Sequence, residues 1–153
     1  MSQETFAALD VGDVRIGVAI SRSGVIAEPL ATIERIGRSQ TLNELQSIIE
    51  ANRITTLVVG IPLLESGGEG EQAEKSRAFA RSLQRRMPAV RITFQDERYT
   101  SAEAREIAGK RAAPGEKKGL VDRIAAAIIL QAFLDEQALQ KKKDTLDGVS
   151  GTT

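Results

Sequence analysis

Residues 54–60 read ITTLVVG, a continuous apolar run of strand length closed by Gly60 and Pro62. A strand that does not alternate with polar residues has no wet face, so this run predicts a central strand covered on both sides. The rest of the chain must therefore supply flanking strands and two layers of helix.

It has the material. Phe6 to Leu9 and Val14 to Ile20 read as strands joined through the tight turn VGD. Ser23-Gly24 marks a second turn, and Val25 to Ile33 reads as a third strand. Pro29 lies inside it and cannot donate to a ladder, which sends that strand to a sheet edge. Thr41 and Glu44 have the spacing of a capping box for a helix to Asn52, with Leu42, Leu45, Ile48 and Ile49 on its apolar face. After the acidic, glycine-rich loop ESGGEGE, residues 71–87 form a helix that Pro88 stops. Val90, Ile92 and Phe94 alternate with polar residues as in a strand. Thr100 and Glu103 open a further helix to Arg111, APGEKKG is a loop, and Val121 to Lys141 is the last helix.

Residues 1–140 thus read as one domain, and 141–153 (KKKDTLDGVSGTT) as a polar, disordered tail. The order of elements implies an α/β fold, a mixed sheet with helices on both faces.

Composition narrows the chemistry. The chain has no cysteine and no histidine, which removes disulfides, thiolate and imidazole metal sites, and triads that use a histidine base. What remains is carboxylate, amine, guanidinium and hydroxyl, the inventory of a hard-cation site for Mg²⁺ or Mn²⁺. Lys and Arg together number 21, as do Asp and Glu, so any nucleic-acid affinity must come from a local patch. The opening MSQETFAALD is unlike a signal peptide, and no apolar run reaches the roughly 18–20 residues of a membrane span. The expected location is the cytoplasm.

Three acids stand where elements end. Asp10 closes the first strand, Glu97 follows the fifth in DER, and Asp122 lies in the first turn of the last helix. Carboxylates so placed can converge on one edge of an open sheet and hold two divalent ions about 4 Å apart, as phosphodiester cleavage requires. Asp96, Glu65 or Glu69 could replace Glu97 if its loop does not fold back. Gly12 and Gly17 would let a phosphate backbone approach the turn, and Gly17 shares a strand face with Arg15. Basic residues Arg105, Lys110, Arg111, Lys117 and Lys118 fall beside the proposed site. Arg77, Arg81 and Arg85 recur every four residues and read as a wet helix face paired with Glu74 and its neighbours.

The blocks LDVGDVRIGVAIS, VVGIPLLESGGEGEQA, DERYTSAEA and KKGLVDRIAAAIILQAFL, in this order, closely resemble the YqgF/RuvX family, Holliday-junction-resolvase-like proteins regarded as pre-16S rRNA nucleases. The resemblance spans about residues 5 to 136. It implies a ribonuclease H-like fold of five strands, in the order 3-2-1-4-5 with the second antiparallel. It also implies metal-dependent phosphodiester hydrolysis by Asp10, Glu97 and Asp122, with two Mg²⁺ or Mn²⁺ ions, in maturation of the 16S rRNA precursor. Arg15, Gly17, Arg98, Lys117 and Lys118 are the expected nucleic-acid contacts. Leu64 stands where family members commonly carry a polar residue. The partner is precursor ribosomal RNA, or branched DNA if the protein resolves junctions, acting as monomer or homodimer. A non-catalytic RNA-binding processing or antitermination factor is the alternative outside enzymes.

Overall fold

The computed structural model describes residues 3–97, 100–111 and 117–150, excluding the side chains at 100, 101, 111, 117, 118 and 147–150. Strands β1 (Phe6–Val11), β2 (Arg15–Ser21) and β3 (Glu28–Glu34) form a meander. Helix α1 (Arg38–Ala51), strand β4 (Thr56–Pro62), helix α2 (Glu71–Arg86) and strand β5 (Arg91–Glu97) follow, then helices α3 (Thr100–Arg111) and α4 (Lys117–Ser150). The sheet order is β3-β2-β1-β4-β5. β2 is antiparallel to both neighbours, whereas β1, β4 and β5 run parallel. This is the predicted order, with β4 buried on both faces and the Pro29 strand at the edge.

The alternation of side chains sorts the strands into two unlike faces. One carries Leu9, Val11, Ile16, Val18, Ile20, Leu57 and Val59, packed against Leu42, Leu45 and Ile49 of α1 and Phe79 and Leu83 of α2. The other carries Ala8, Ala19 and Val58 against Ala126, Ile129, Leu130 and Phe133 of α4. Helix α3 packs on α4 through Ala104, Ala108, Ile124 and Ala125.

Three local expectations are corrected. Helix α1 begins at Arg38 with Gly37 as its N-cap, so Thr41 is a buried residue of the first turn and not the cap. The T-x-x-E spacing misled because the same residues fit inside a helix that starts four positions earlier. Helix α4 begins at Lys117, within the expected loop, and runs to Ser150, so residues 141–150 are helical. That segment holds good helix formers and no proline, and Gln140 donates to Asp144 one turn on.

Candidate active site

Asp10 and Gly17 face each other across the β1–β2 pair, their side-chain directions shared. Gly17 is fully covered, and the cover is the backbone of α4. A Cβ at this position would run into the carbonyl of Asp122. Gly17 is therefore a packing glycine and not an open substrate floor, which corrects its expected role as a nucleic-acid contact. The missing side chain lets α4 sit directly on β2, and that contact delivers Asp122 beside Asp10.

The start of α4 is fastened on the same side. Thr32 of β3 donates its hydroxyl to the Gly119 carbonyl at 2.6 Å, and Arg123 Nη1 donates to Thr32 Oγ1 at 3.1 Å. Arg15 donates Nε to Asp122 Oδ2 at 2.7 Å, with both side chains partly buried. Arg15 thus orients an acid of the cluster. This is a role beyond the nucleic-acid contact that the sequence predicts for it.

Glu97 reaches the site by a route the sequence concealed. It is the last residue of β5, and β4 lies between β5 and β1. Glu97 pairs with Pro62, and Gly60 lies two residues earlier on the same face of β4. A Cβ there would lie 3.2 Å from Glu97 Oε2 and 2.6 Å from Ile129 Cδ1, so the carboxylate rests in the space the glycine leaves. The loop need not fold back, because a glutamate side chain spans a strand that has no side chain of its own. Asp96 is adjacent in the strand, so it points to the opposite face. Glu69 is gripped by Arg77 through two 2.7 Å hydrogen bonds. Glu65 is exposed. Gly60 is the residue that sequence reasoning missed, and its signal was a glycine in an otherwise branched central strand.

The acids feel one another. Burial first, and then the charge of Asp122, pushes Asp10 up to about 6. Burial and then the charge of Asp10 pushes Glu97 up to about 8. Uncompensated carboxylates of this kind lack a counter-charge, and oxygen donors alone suit a hard divalent cation. Among the described residues, no three such groups already close into a metal cage, and one oxygen of Asp122 is occupied by Arg15. The donor chemistry fits a cation held by Asp10 and Glu97, with Asp122 contributing as Arg15 permits.

Arg98 lies outside the described residues, as do the side chains of Lys117 and Lys118, whose backbone forms the first turn of α4. Arg105 and Lys110 are exposed on α3. Arg77 and Arg81 pair with Glu69 and Glu74, as a wet helix face should. No described helix is long and apolar enough to cross a membrane.

This topology, with acids on the edge of a mixed sheet, defines a ribonuclease H-like protein. The structure of Thermus thermophilus RuvC in complex with Holliday junction substrate shares the fold, with a TM-score of 0.57 over 88% of this chain and 96% of that one at 13% identity. The profile of the RuvX family, described as Holliday junction resolvase, matches residues 4–136, and the chain belongs to that family. A Koribacter versatilis relative named "Putative pre-16S rRNA nuclease" is 39% identical, covering 89% of this chain and 90% of its own. A relative of the same name from Fusobacterium nucleatum is 41% identical over 85% and 96%.

Proposed function

We propose that this protein is a metal-dependent nuclease that hydrolyses phosphodiester bonds during maturation of the 16S rRNA precursor in the cytoplasm. One observation carries the reading. Asp10 and Glu97, from non-adjacent strands, and Asp122, from α4, are brought to one place by two glycines, at the cost of raised carboxylate pKa values. A fold keeps such mutual repulsion where a function needs it. The names of the relatives point to precursor rRNA as the substrate.

When bound, Mg²⁺ or Mn²⁺, as one ion or a pair, would polarise the phosphoryl oxygen and acidify a water. Asp10 and Glu97 supply hard oxygen ligands from rigid strands, and Arg15 keeps Asp122 aimed along the same edge. Glu97, held near 8, retains its proton at neutral pH until a counter-charge draws it off. Gly17 sets the position of Asp122 through backbone contact, which is stiffer than side-chain packing, and Gly60 leaves the room that the Glu97 carboxylate fills.

A second reading, cleavage of branched DNA, is favoured by the description of the family itself. Incubating the protein with labelled precursor rRNA and with a four-way DNA junction, under Mg²⁺, Mn²⁺ or chelator, decides between them. Cation-dependent cutting of the RNA is expected, with the junction left whole. Cutting of the junction alone would transfer the protein to the resolvase class. Binding of RNA without cutting under any cation would make it a non-catalytic processing factor.

A further inference from the structure

A second basic site lies across the sheet from the acids. The β1–β2 turn, the β3–α1 connection and α2 border an open cavity of about 460 Å³, lined among others by Asp13, Arg35, Gly37, Arg38, Thr41 and Lys75. Four features of its lining point to the same kind of ligand. Arg35 donates to the Gly12 carbonyl at 2.7 Å and lies over the Phe79 ring, with 5.2 Å from guanidinium carbon to centroid. Arg38 donates to the Ser82 hydroxyl at 2.6 Å. Both guanidinium groups are thus steadied by neutral partners, and neither forms an ion pair with a described carboxylate. Asp13, the one acid in the lining, faces Lys75 at 3.5 Å.

The cavity also receives the N-terminus of α1, a helix of 14 residues. Its N-cap, Gly37, provides no side-chain hydrogen bond to the first turn. Neither backbone nor packing demands glycine there, since its φ of −168° is ordinary extended chain and a Cβ would meet nothing within 4 Å. The space beside the first-turn amides is simply left open.

Independently, Thr41 lines the same cavity at 2% exposure, and its hydroxyl has no hydrogen-bond partner. A buried hydroxyl without a partner is costly, and a ligand oxygen would repair it. Unneutralised guanidinium groups, open helix amides and a hydroxyl donor together form a receptor for a tetrahedral oxyanion.

We infer that this cavity binds a phosphate group, held by the first-turn amides of α1, Arg35, Arg38 and the Thr41 hydroxyl. Its lining includes Asp13, three residues beyond Asp10, so a nucleic-acid strand passing over the β1–β2 turn could place one phosphate at the acids and another here. Only that assignment to a substrate strand rests on the nuclease reading. Phosphate binding does not.

The test follows the backbone amides of residues 38–41 by nuclear magnetic resonance in the cleavage-deficient Asp10→Asn protein. The probes are inorganic phosphate and a single-stranded RNA lacking terminal phosphates. Saturable shifts with either probe are expected. Shifts with RNA assign the site to a substrate strand, and shifts with inorganic phosphate alone assign it to a free phosphate ligand. Gly37→Asp caps the helix with its own carboxylate, so it should fold at least as well and weaken binding by roughly tenfold or more. Thr41→Val removes a hydroxyl that has no partner to lose, and should weaken binding several-fold while leaving the fold unchanged. Silence of these amides with both probes, or affinities unmoved by both substitutions, would overturn the inference.

Discussion

The two faces of the sheet are one residue out of phase and made for different purposes. Beneath α1 and α2, β1 and β2 present Leu9, Val11, Ile16, Val18 and Ile20, which fill space. Beneath α4, the same strands present Ala8, Asp10, Gly17 and Ala19, which leave it. A helix resting on bulky side chains stands off from the sheet and tolerates some repacking. A helix resting on glycine touches backbone, and its position is set by atoms that cannot change rotamer. The difference shows how a sheet can stabilise with one surface and align a cluster of carboxylates with the other.

The largest effect expected from disturbing this contrast is chemical. Asp10→Asn should lower cleavage by on the order of 10³-fold or more in a turnover assay, because an amide cannot replace a carboxylate toward a cation. In chelated buffer near pH 7.5 the same variant should melt higher than the parent, since burial and Asp122 both disfavour the Asp10 charge. Full activity would remove Asp10 from the site.

Next comes a matched pair. Leu9→Ala, on the packed face, should cost about 2–5 kcal/mol in denaturant unfolding with turnover per folded molecule preserved. Gly17→Ala, on the other face, should cost about 1–3 kcal/mol by pushing against the Asp122 carbonyl, and should reduce turnover as well because the acid moves with the helix. Equal turnover in the two variants would mean that α4 does not set the geometry of the acids.

A smaller effect separates the faces by pH. Asp10 and Glu97 both titrate above their ordinary values in the folded protein. The native state then holds more protons than the unfolded chain between about pH 4 and pH 8. Metal-free stability should fall as pH rises through that window, by a few kcal/mol. A double variant, Asp10→Asn with Glu97→Gln, should flatten the curve. An unchanged slope would place its origin elsewhere.

The smallest is Arg15→Gln. The pair with Asp122 is partly exposed, so about 1 kcal/mol of stability is at stake. The sharper readout is the concentration of Mg²⁺ giving half-maximal cleavage, which should shift as Asp122 loses its orientation while Asp10 remains in place.

Much of this was legible in the linear chain. The run around Val58 and Val59 could only be a central strand, and Pro29 could only lie at an edge. An aspartate ending an apolar strand beside a bare turn points to Asp10, which the fold buries beside Asp122 and Glu97. Glu97 was harder, because its access depends on Gly60, a residue 37 positions away that acts by what it lacks. Gly17 was misjudged for a related reason. A glycine in a strand signals close approach, but whether a ligand or a helix does the approaching is a tertiary fact. The start of α1 escaped because first-turn residues and caps draw on the same small polar side chains.

Helix α4 meets all five strands. It is tied to β3 at Gly119, lies on β2 at Asp122, packs on β1 through Ala8, crosses Gly60 of β4 at Ile129 and reaches Gln95 of β5 with Glu136. In the language of hydrogen exchange, the acid-bearing edge should belong to the most protected cooperative unit of the protein, with no low-energy opening of its own. A loop-borne site can breathe while the core stays shut. Here, lifting Asp122 away from Asp10 means prising a helix off the whole sheet, so the slowest-exchanging amides and the geometry of the acids should be lost in one and the same event.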